Sequence, residues 1–211
     1  MYSQTDICNM ALDNFGGGRI IDITDDSEQA RLFRSIYPNA RQALLAKGCW
    51  NFAVGYEVLS KIYDPTVYHP VFPNIYVYPA NTIKVVRVFS CAVDFSDRYI
   101  YPDFEVFSRG NYRYIGTCID DAKAQVIYDI TSTNLYSPEF VTCFSFLLSA
   151  RVAEALTRNG QIVQEMEAKY QATLQDAMLT NARENEKKTQ YPDRFLRFRN
   201  SVGVGYRRSD L

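Results

Sequence analysis

The chain holds one histidine, His69, and one tryptophan, Trp50, in 211 residues. A single imidazole excludes a di-histidine metal site, an acid–base pair of histidines and a histidine triad with a spare partner. The five cysteines, Cys8, Cys49, Cys91, Cys118 and Cys143, are odd in number and widely scattered. No two stand at C-x-x-C spacing, so no zinc set is expected, and the plain reading is reduced thiols in a protein made in a cytosol. No run is expected to reach the roughly 20 apolar residues of a bilayer span. The opening MYSQTDICNMALDNF lacks the basic segment of a secretory signal.

An excess of positive charge is also missing. Of 23 basic and 24 acidic residues, residues 191–211 hold five arginines, Asp193 and Asp210, which leaves 18 basic and 22 acidic upstream. The body is therefore net −4 and the tail +3. An acidic body is a poor footprint for DNA, which needs clustered Lys and Arg. What the chain has in plenty is aromatics, with 16 tyrosines and 13 phenylalanines, in an otherwise ordinary globular mix of 47% apolar and 22% charged residues.

Apolar spacing predicts a first helix over 3–15, with Ile7, Ala11, Leu12 and Phe15 on one face and Ser3 or Thr5 as N-cap. Gly16-Gly17-Gly18 should stop it, because glycine accepts the left-handed C-cap conformation. A phosphate-loop reading of the triplet fails, since a helix precedes it and no GK[ST] follows. A second helix opens at DDSEQA and carries Ala30, Phe33, Tyr37, Ala40 and Leu44 inward, ending near Gly48. Pro38 inside it should cost about 3 kcal/mol or force a kink. Trp50 reads as a core anchor between this helix and the next module.

From residue 55 the texture becomes short, β-branched and aromatic: NIYVYP, NTIKVVRVF, DRYIYP, DFEVFS, NYRYIG and AQVIYDI. This predicts an antiparallel sheet or small barrel, with one hairpin turning at Arg109-Gly110-Asn111 and a loop over 61–73. The helical period returns at Ser137-Pro138-Glu139. Phe140, Phe144, Leu147, Leu148, Val152, Ala155 and Leu156 form a broad stripe. After Asn159-Gly160, a last helix carries Val163, Met166, Tyr170, Leu174, Ala177 and Met178. The expected fold is α+β: a four-helix bundle (1–54 and 133–190) with an inserted antiparallel β-sheet or barrel module (55–132) and an extended C-terminal tail (191–211).

No chemistry assembles from these parts. His69 lies in a proline-rich loop and reads as a surface turn. The carboxylate pairs Asp25-Asp26, Asp120-Asp121 and Glu184 with Glu186 are explained by a helix start, a turn and a solvated helix end. The GVG of the tail has no strand or helix around it. No catalytic residue, metal or cofactor is expected, and an enzyme such as a cell-wall hydrolase working through a carboxylate pair lacks its constellation. The aromatic surplus points instead to surfaces that meet partners, even with half of the tyrosines packing cross-strand neighbours. The tail YPDRFLRFRNSVGVGYRRSDL allows two readings, a grip on nucleic acid through arginine and base stacking or a clasp on another protein.

Several stretches resemble a known family. ICNMALDNFGGGRIIDITDDSEQARLFRSIYPNARQALLAKGCWNFA carries an I-x-N-x-A-L helix with a Gly-rich stop and an I-x-D-I-x-D-D-S-x-x-A helix entry. Y-P-x-A-R-x-x-L-L and W-x-F-A follow, then VYPANTIKVVRV and AQVIYDITSTNLYSPEFVTCFSFLLSARVAEALT. Together they are similar to the tail tubular protein A family, the head-to-tail adaptors of short-tailed bacteriophages. The resemblance covers a little under half of the chain and omits 55–73 and 191–211.

It implies a virion structural protein made in the host cytoplasm, working at the head–tail junction without catalysis. Its copies would form a homo-oligomeric ring of about twelve between the portal protein and the tail nozzle protein. Duplex DNA would be passing cargo, and no membrane would be involved. On that basis the tail residues Tyr191, Arg194, Phe195, Arg197, Phe198, Arg199, Tyr206, Arg207 and Arg208 are the expected portal contacts. Tyr76, Tyr78, Tyr99, Tyr101, Tyr112 and Tyr114 are the expected ring or nozzle contacts.

Overall fold

The protein, seen here as a computed structural model, is described over residues 2–90 and 103–184. Helix α1 spans Gln4–Asp13 and starts with a reciprocal cap, in which Ser3 accepts from the Asp6 amide and Asp6 accepts from the Ser3 amide. It ends as the glycines require: Gly16 sits at φ +74°, and the amides of Gly16 and Gly17 take the carbonyls of Asp13 and Leu12. Helix α2 spans Glu28–Lys47, capped by Ser27, and runs unbroken through Pro38. Proline supplies no N–H to the helix ladder there. The buried face around it, with Phe33, Tyr37, Ala40 and Leu44, holds the helix together.

Helix α3 spans Pro138–Thr157, with Ser137 as N-cap and Pro138 at its first position. Arg158 adopts φ +51° and turns the chain into α4, Gly160–Glu184. Helix α3 packs against α1, α2 and α4, and the main core joins buried residues from all four helices with Trp50 and Ile127. This central place explains a departure from the sequence reading. A window of α3 reaches a mean hydropathy of 1.4 over 18 residues, so the chain does contain a helix with the length and apolarity of a bilayer span. Neighbours on three sides bury 61% of that window, and a helix enclosed in this way is apolar nearly all round. Small polar side chains are accommodated by pairing: Ser149 Oγ donates to the Ala11 carbonyl at 2.9 Å and accepts from Asn14 at 3.0 Å.

The inserted module is two three-stranded antiparallel sheets. The first has the order β1 (Val54–Val58), β6 (Ala122–Tyr128), β3 (Thr82–Ser90). The second has the order β2 (Asn74–Val77), β5 (Tyr112–Thr117), β4 (Phe104–Arg109). Strand alternation puts Val85, Val88, Ala122, Ala124 and Val126 of the first sheet against Tyr76 and Ile115 of the second, in a second core. The β4–β5 hairpin turns at Gly110-Asn111, with Arg109 opposite Tyr112 and Gly110 at φ +59°.

The expected barrel does not close among the described residues. One corner is joined, because the chain after β1 crosses over: the Leu59 amide bonds Ala122, and the amides of Ile62 and Val77 bond Ile75 and Ser60. At the opposite corner β3 and β4 lie at sheet edges and do not pair with each other. The DRYIYP stretch lies outside the described residues. Strand β1 itself, VGYEV, was not singled out in the sequence, where Gly55 and Glu57 dilute the β pattern. Helices and sheets are tied by Arg41, which is buried and donates from Nε and Nη2 to both oxygens of Asp129 at 3.0 Å. Gln42 adds a bond of 2.7 Å to the same carboxylate.

Candidate interaction face of the sheet module

Residues 61–73 form a strap across the outer face of the second sheet. Three prolines, at 65, 70 and 73, remove backbone donors and keep the segment out of the ladder. Beyond its start at Lys61 and Ile62, which pair with Asp120 and Ile75, its backbone bonds are mainly local. Asp64 accepts from Thr66 at 2.8 Å, and Lys61 meets Asp120 at 2.6 Å, a bond that holds the Asp120 carboxyl below its ordinary range. The strap comes close because Gly116 of β5 has no side chain. A Cβ there would stand 3.1 Å from the Phe72 ring and 3.5 Å from the His69 ring.

His69 is not the surface residue its loop suggested: its side chain is 8% exposed. The ring lies with centroids 5.2 Å from Phe72 and 5.0 Å from Phe107. Nδ1 accepts from the Val71 and Phe72 amides, and Nε2 faces Glu105 at 3.2 Å. Prolines on an otherwise exposed loop hid this role, since burial here comes from β4 and β5, which are distant in sequence.

With His69 and Phe72 turned inward, the strap turns its tyrosines outward. Tyr63 is 85% exposed beside Lys61, and Tyr68 is 68% exposed under the Arg109 guanidinium, 5.2 Å from the ring centroid. Tyr112, at the hairpin, is 70% exposed, and Val71 of the strap and Val77 of β2 are exposed as well. On the first sheet Tyr56 and Val58 are exposed, with Tyr56 edge-on to Phe89 at 6.1 Å.

The expected contact residues divide accordingly. Tyr112 is free to meet a partner. Tyr114 is half-buried against Phe107 at 5.6 Å, and Tyr78 is half-buried under Arg113 at 3.8 Å. Tyr76 is a correction: it is 1% exposed, its hydroxyl donates to the Ile119 carbonyl at 2.9 Å, and it belongs to the inter-sheet core. Alternation on β2 decides this, since Tyr76 faces the same way as Ile115, its cross-strand partner. Tyr56, Tyr63 and Tyr68 were not among the expected contacts, although Tyr63 and Tyr68 stand in a strap too proline-rich to bury them as a strand would. Tyr99 and Tyr101 lie outside the described residues. So do the tail residues Tyr191, Arg194, Phe195, Arg197, Phe198, Arg199, Tyr206, Arg207 and Arg208, with Glu186.

The carboxylates adjacent in sequence are engaged separately. Asp25 accepts from the Ile21 and Asp22 amides, Asp121 occupies a turn at φ +51°, and Glu184 accepts from Asn51 at 2.8 Å. Among the described residues no three His, Cys, Asp or Glu side chains gather as a metal set. At the end of α4, Asn181 and Asn51 clasp each other. The Asn51 amide donates to Asn181 Oδ1 at 2.8 Å, its side chain donates to the Asn181 carbonyl at 3.0 Å, and Asn181 Nδ2 bonds the Cys49 carbonyl at 2.8 Å. The last described turn of α4 is thereby fixed to the turn between α2 and β1. No protein-family model matches the chain, and no curated protein matches it.

Proposed function

We propose that the chain is a structural subunit of a phage head-to-tail adaptor, a ring of copies between portal and tail nozzle through which DNA passes, with no catalytic role. The observation that carries this reading is the set of exposed aromatics on the sheet module, Tyr56, Tyr63, Tyr68 and Tyr112, in a chain whose ordered stretches resemble those adaptors. Tyr and Arg are the side chains that dominate interface energetics, and both are present here, with Arg109 over Tyr68.

In this reading the four helices act as a bundle in the wall of the ring, and the sheet module faces the nozzle. The Arg-aromatic tail, residues 191–211, docks on the portal. A ring requires each copy to offer two different lateral faces, and a net negative body suits a conduit along which DNA slides. Negative-stain imaging of the protein with and without its portal tests ring, partner and stoichiometry together. Rings, or density capping the portal, are expected; free monomers and a bare portal overturn the proposal. A tight, strongly salt-dependent complex with duplex DNA would favour the nucleic-acid reading of the tail instead.

A further inference from the structure

We infer that the groove where α2, α3 and α4 meet binds a small oxyanion such as phosphate, held by Lys47, Arg151 and the Tyr170 hydroxyl. This inference is independent of the adaptor reading. Lys47 enters the groove from α2, Arg151 from α3, and Glu167, Tyr170 and Gln171 from α4. The three residues of α4 share one helix face, since they stand three and four positions apart. The short side chains of Ala43 and Ala150 in the walls leave a space of about 230 Å³. That admits a phosphate or a small organic acid and falls below the range of larger ligands.

Tyr170 is the observation that points to a ligand. It is 3% exposed and its ring belongs to the main core, yet its hydroxyl makes no hydrogen bond among the described residues. Other buried tyrosines are paired: Tyr76 donates to the Ile119 carbonyl and Tyr136 to the Ile130 carbonyl. Tyr37 is unpaired too, but its hydroxyl is sealed in the core, whereas Tyr170 lines the groove. The hydroxyl lies within electrostatic reach of Arg151 and Glu167, which line the same groove. Phenylalanine would fill this place in the core without the cost of an unpaired hydroxyl, and an acceptor on a ligand removes that cost. Burial pushes the phenol up to about 12, so at neutral pH it keeps its hydrogen and can donate it.

The charges around it favour an anion. Neither Lys47 nor Arg151 has an ion-pair partner among the described residues. Glu167 is the acid of the lining, and Gln171 Nε2 donates to its Oε1 at 2.7 Å, which ties that carboxylate along α4. Two cations against one carboxylate leave the groove net positive on a body that is net negative. An ammonium, a guanidinium fork and a hydroxyl are all donors, and together they suit the oxygens of a phosphate or carboxylate.

The test is an NMR titration of the isotope-labelled full chain with sodium phosphate, against sodium chloride at matched ionic strength. Phosphate should shift the Tyr170 ring and the Arg151 Nε–H signals to saturation, and chloride should not. Tyr170→Phe keeps the ring in the core and should weaken phosphate binding about tenfold, read at Arg151. Arg151→Gln and Lys47→Gln change exposed side chains and should each weaken it about tenfold or more, read at Tyr170. Lys169→Gln removes a cation of the same helix that pairs with Glu165 at 2.6 Å, and should leave the affinity within about twofold. Shifts that grow without saturating and match those in chloride overturn the proposal, as does an affinity unchanged by Tyr170→Phe and Arg151→Gln. Shifts that grow with protein concentration in the absence of phosphate would assign the groove to an acidic side chain of another copy, and overturn it too.

Discussion

At the scale of single residues, the motifs that carry the family resemblance turn out to hold the fold. Asn9 of I-x-N-x-A-L clips the backbone of Ile20, donating to its carbonyl at 3.0 Å and accepting from its amide at 2.9 Å. Asp25 and Ser27 of the helix entry cap the loop and α2. Trp50 of W-x-F-A is buried and donates to the Leu44 carbonyl at 3.0 Å. Arg41 and Asp129 fall in two separate matching stretches and form the buried pair between helices and sheet. Arg41→Ala leaves a carboxylate without its partner and should lower stability by about 3 kcal/mol in urea unfolding, whereas an apolar replacement of both partners should cost much less. The thiols divide in the same way: burial pushes Cys8 and Cys143 up to about 12, while Cys49 and Cys118 are exposed. With Cys91 replaced by serine, a thiol reagent should therefore modify two cysteines in the native protein and four after denaturation.

At the scale of elements, close approach decides more than propensity. Gly55 on β1 lies under the Tyr128 ring, where an added Cβ would be 2.1 Å from a ring carbon. Gly55→Ala must displace that ring and its hydrogen bond to Glu57, and should cost about 1–3 kcal/mol by thermal or urea unfolding. The mild β character of VGYEV made this strand hard to see, yet its partner β6 pairs along all five positions. Helices were far more legible. Ser3, one of the two caps expected for α1, does cap it, Ser27 and Ser137 cap α2 and α3, and Gly16 ends α1 by the conformation glycine permits. The hairpin at Gly110 was equally plain. Which way each tyrosine faces was not, because a shift of one position on a strand reverses the side. Tyr76 and Tyr112 show it: both are strand tyrosines, one in the core and one in solvent.

At the scale of the whole molecule, the described residues by themselves build two cores, one joining the four helices and one between the sheets. In the adaptor reading, removing residues 191–211 should weaken portal docking at least tenfold in a binding assay while leaving urea unfolding within about 0.5 kcal/mol of the full chain. Tyr56→Ser together with Tyr112→Ser should likewise spare stability and impair ring or nozzle assembly in sedimentation; unimpaired assembly would move the contact face elsewhere. The amino-acid sequence by itself determined the caps, the helix periods, the strand-rich insert and the split between an acidic body and a basic tail. Each depends on neighbours along the chain or on a simple count. Tertiary structure alone decided that β3 and β4 do not pair with each other among the described residues, that the bilayer-like helix α3 is a core helix, that Tyr76 is buried between the sheets and that His69 is enclosed between Phe72 and Phe107. Those outcomes depend on which distant segments come into contact, and no local pattern records that.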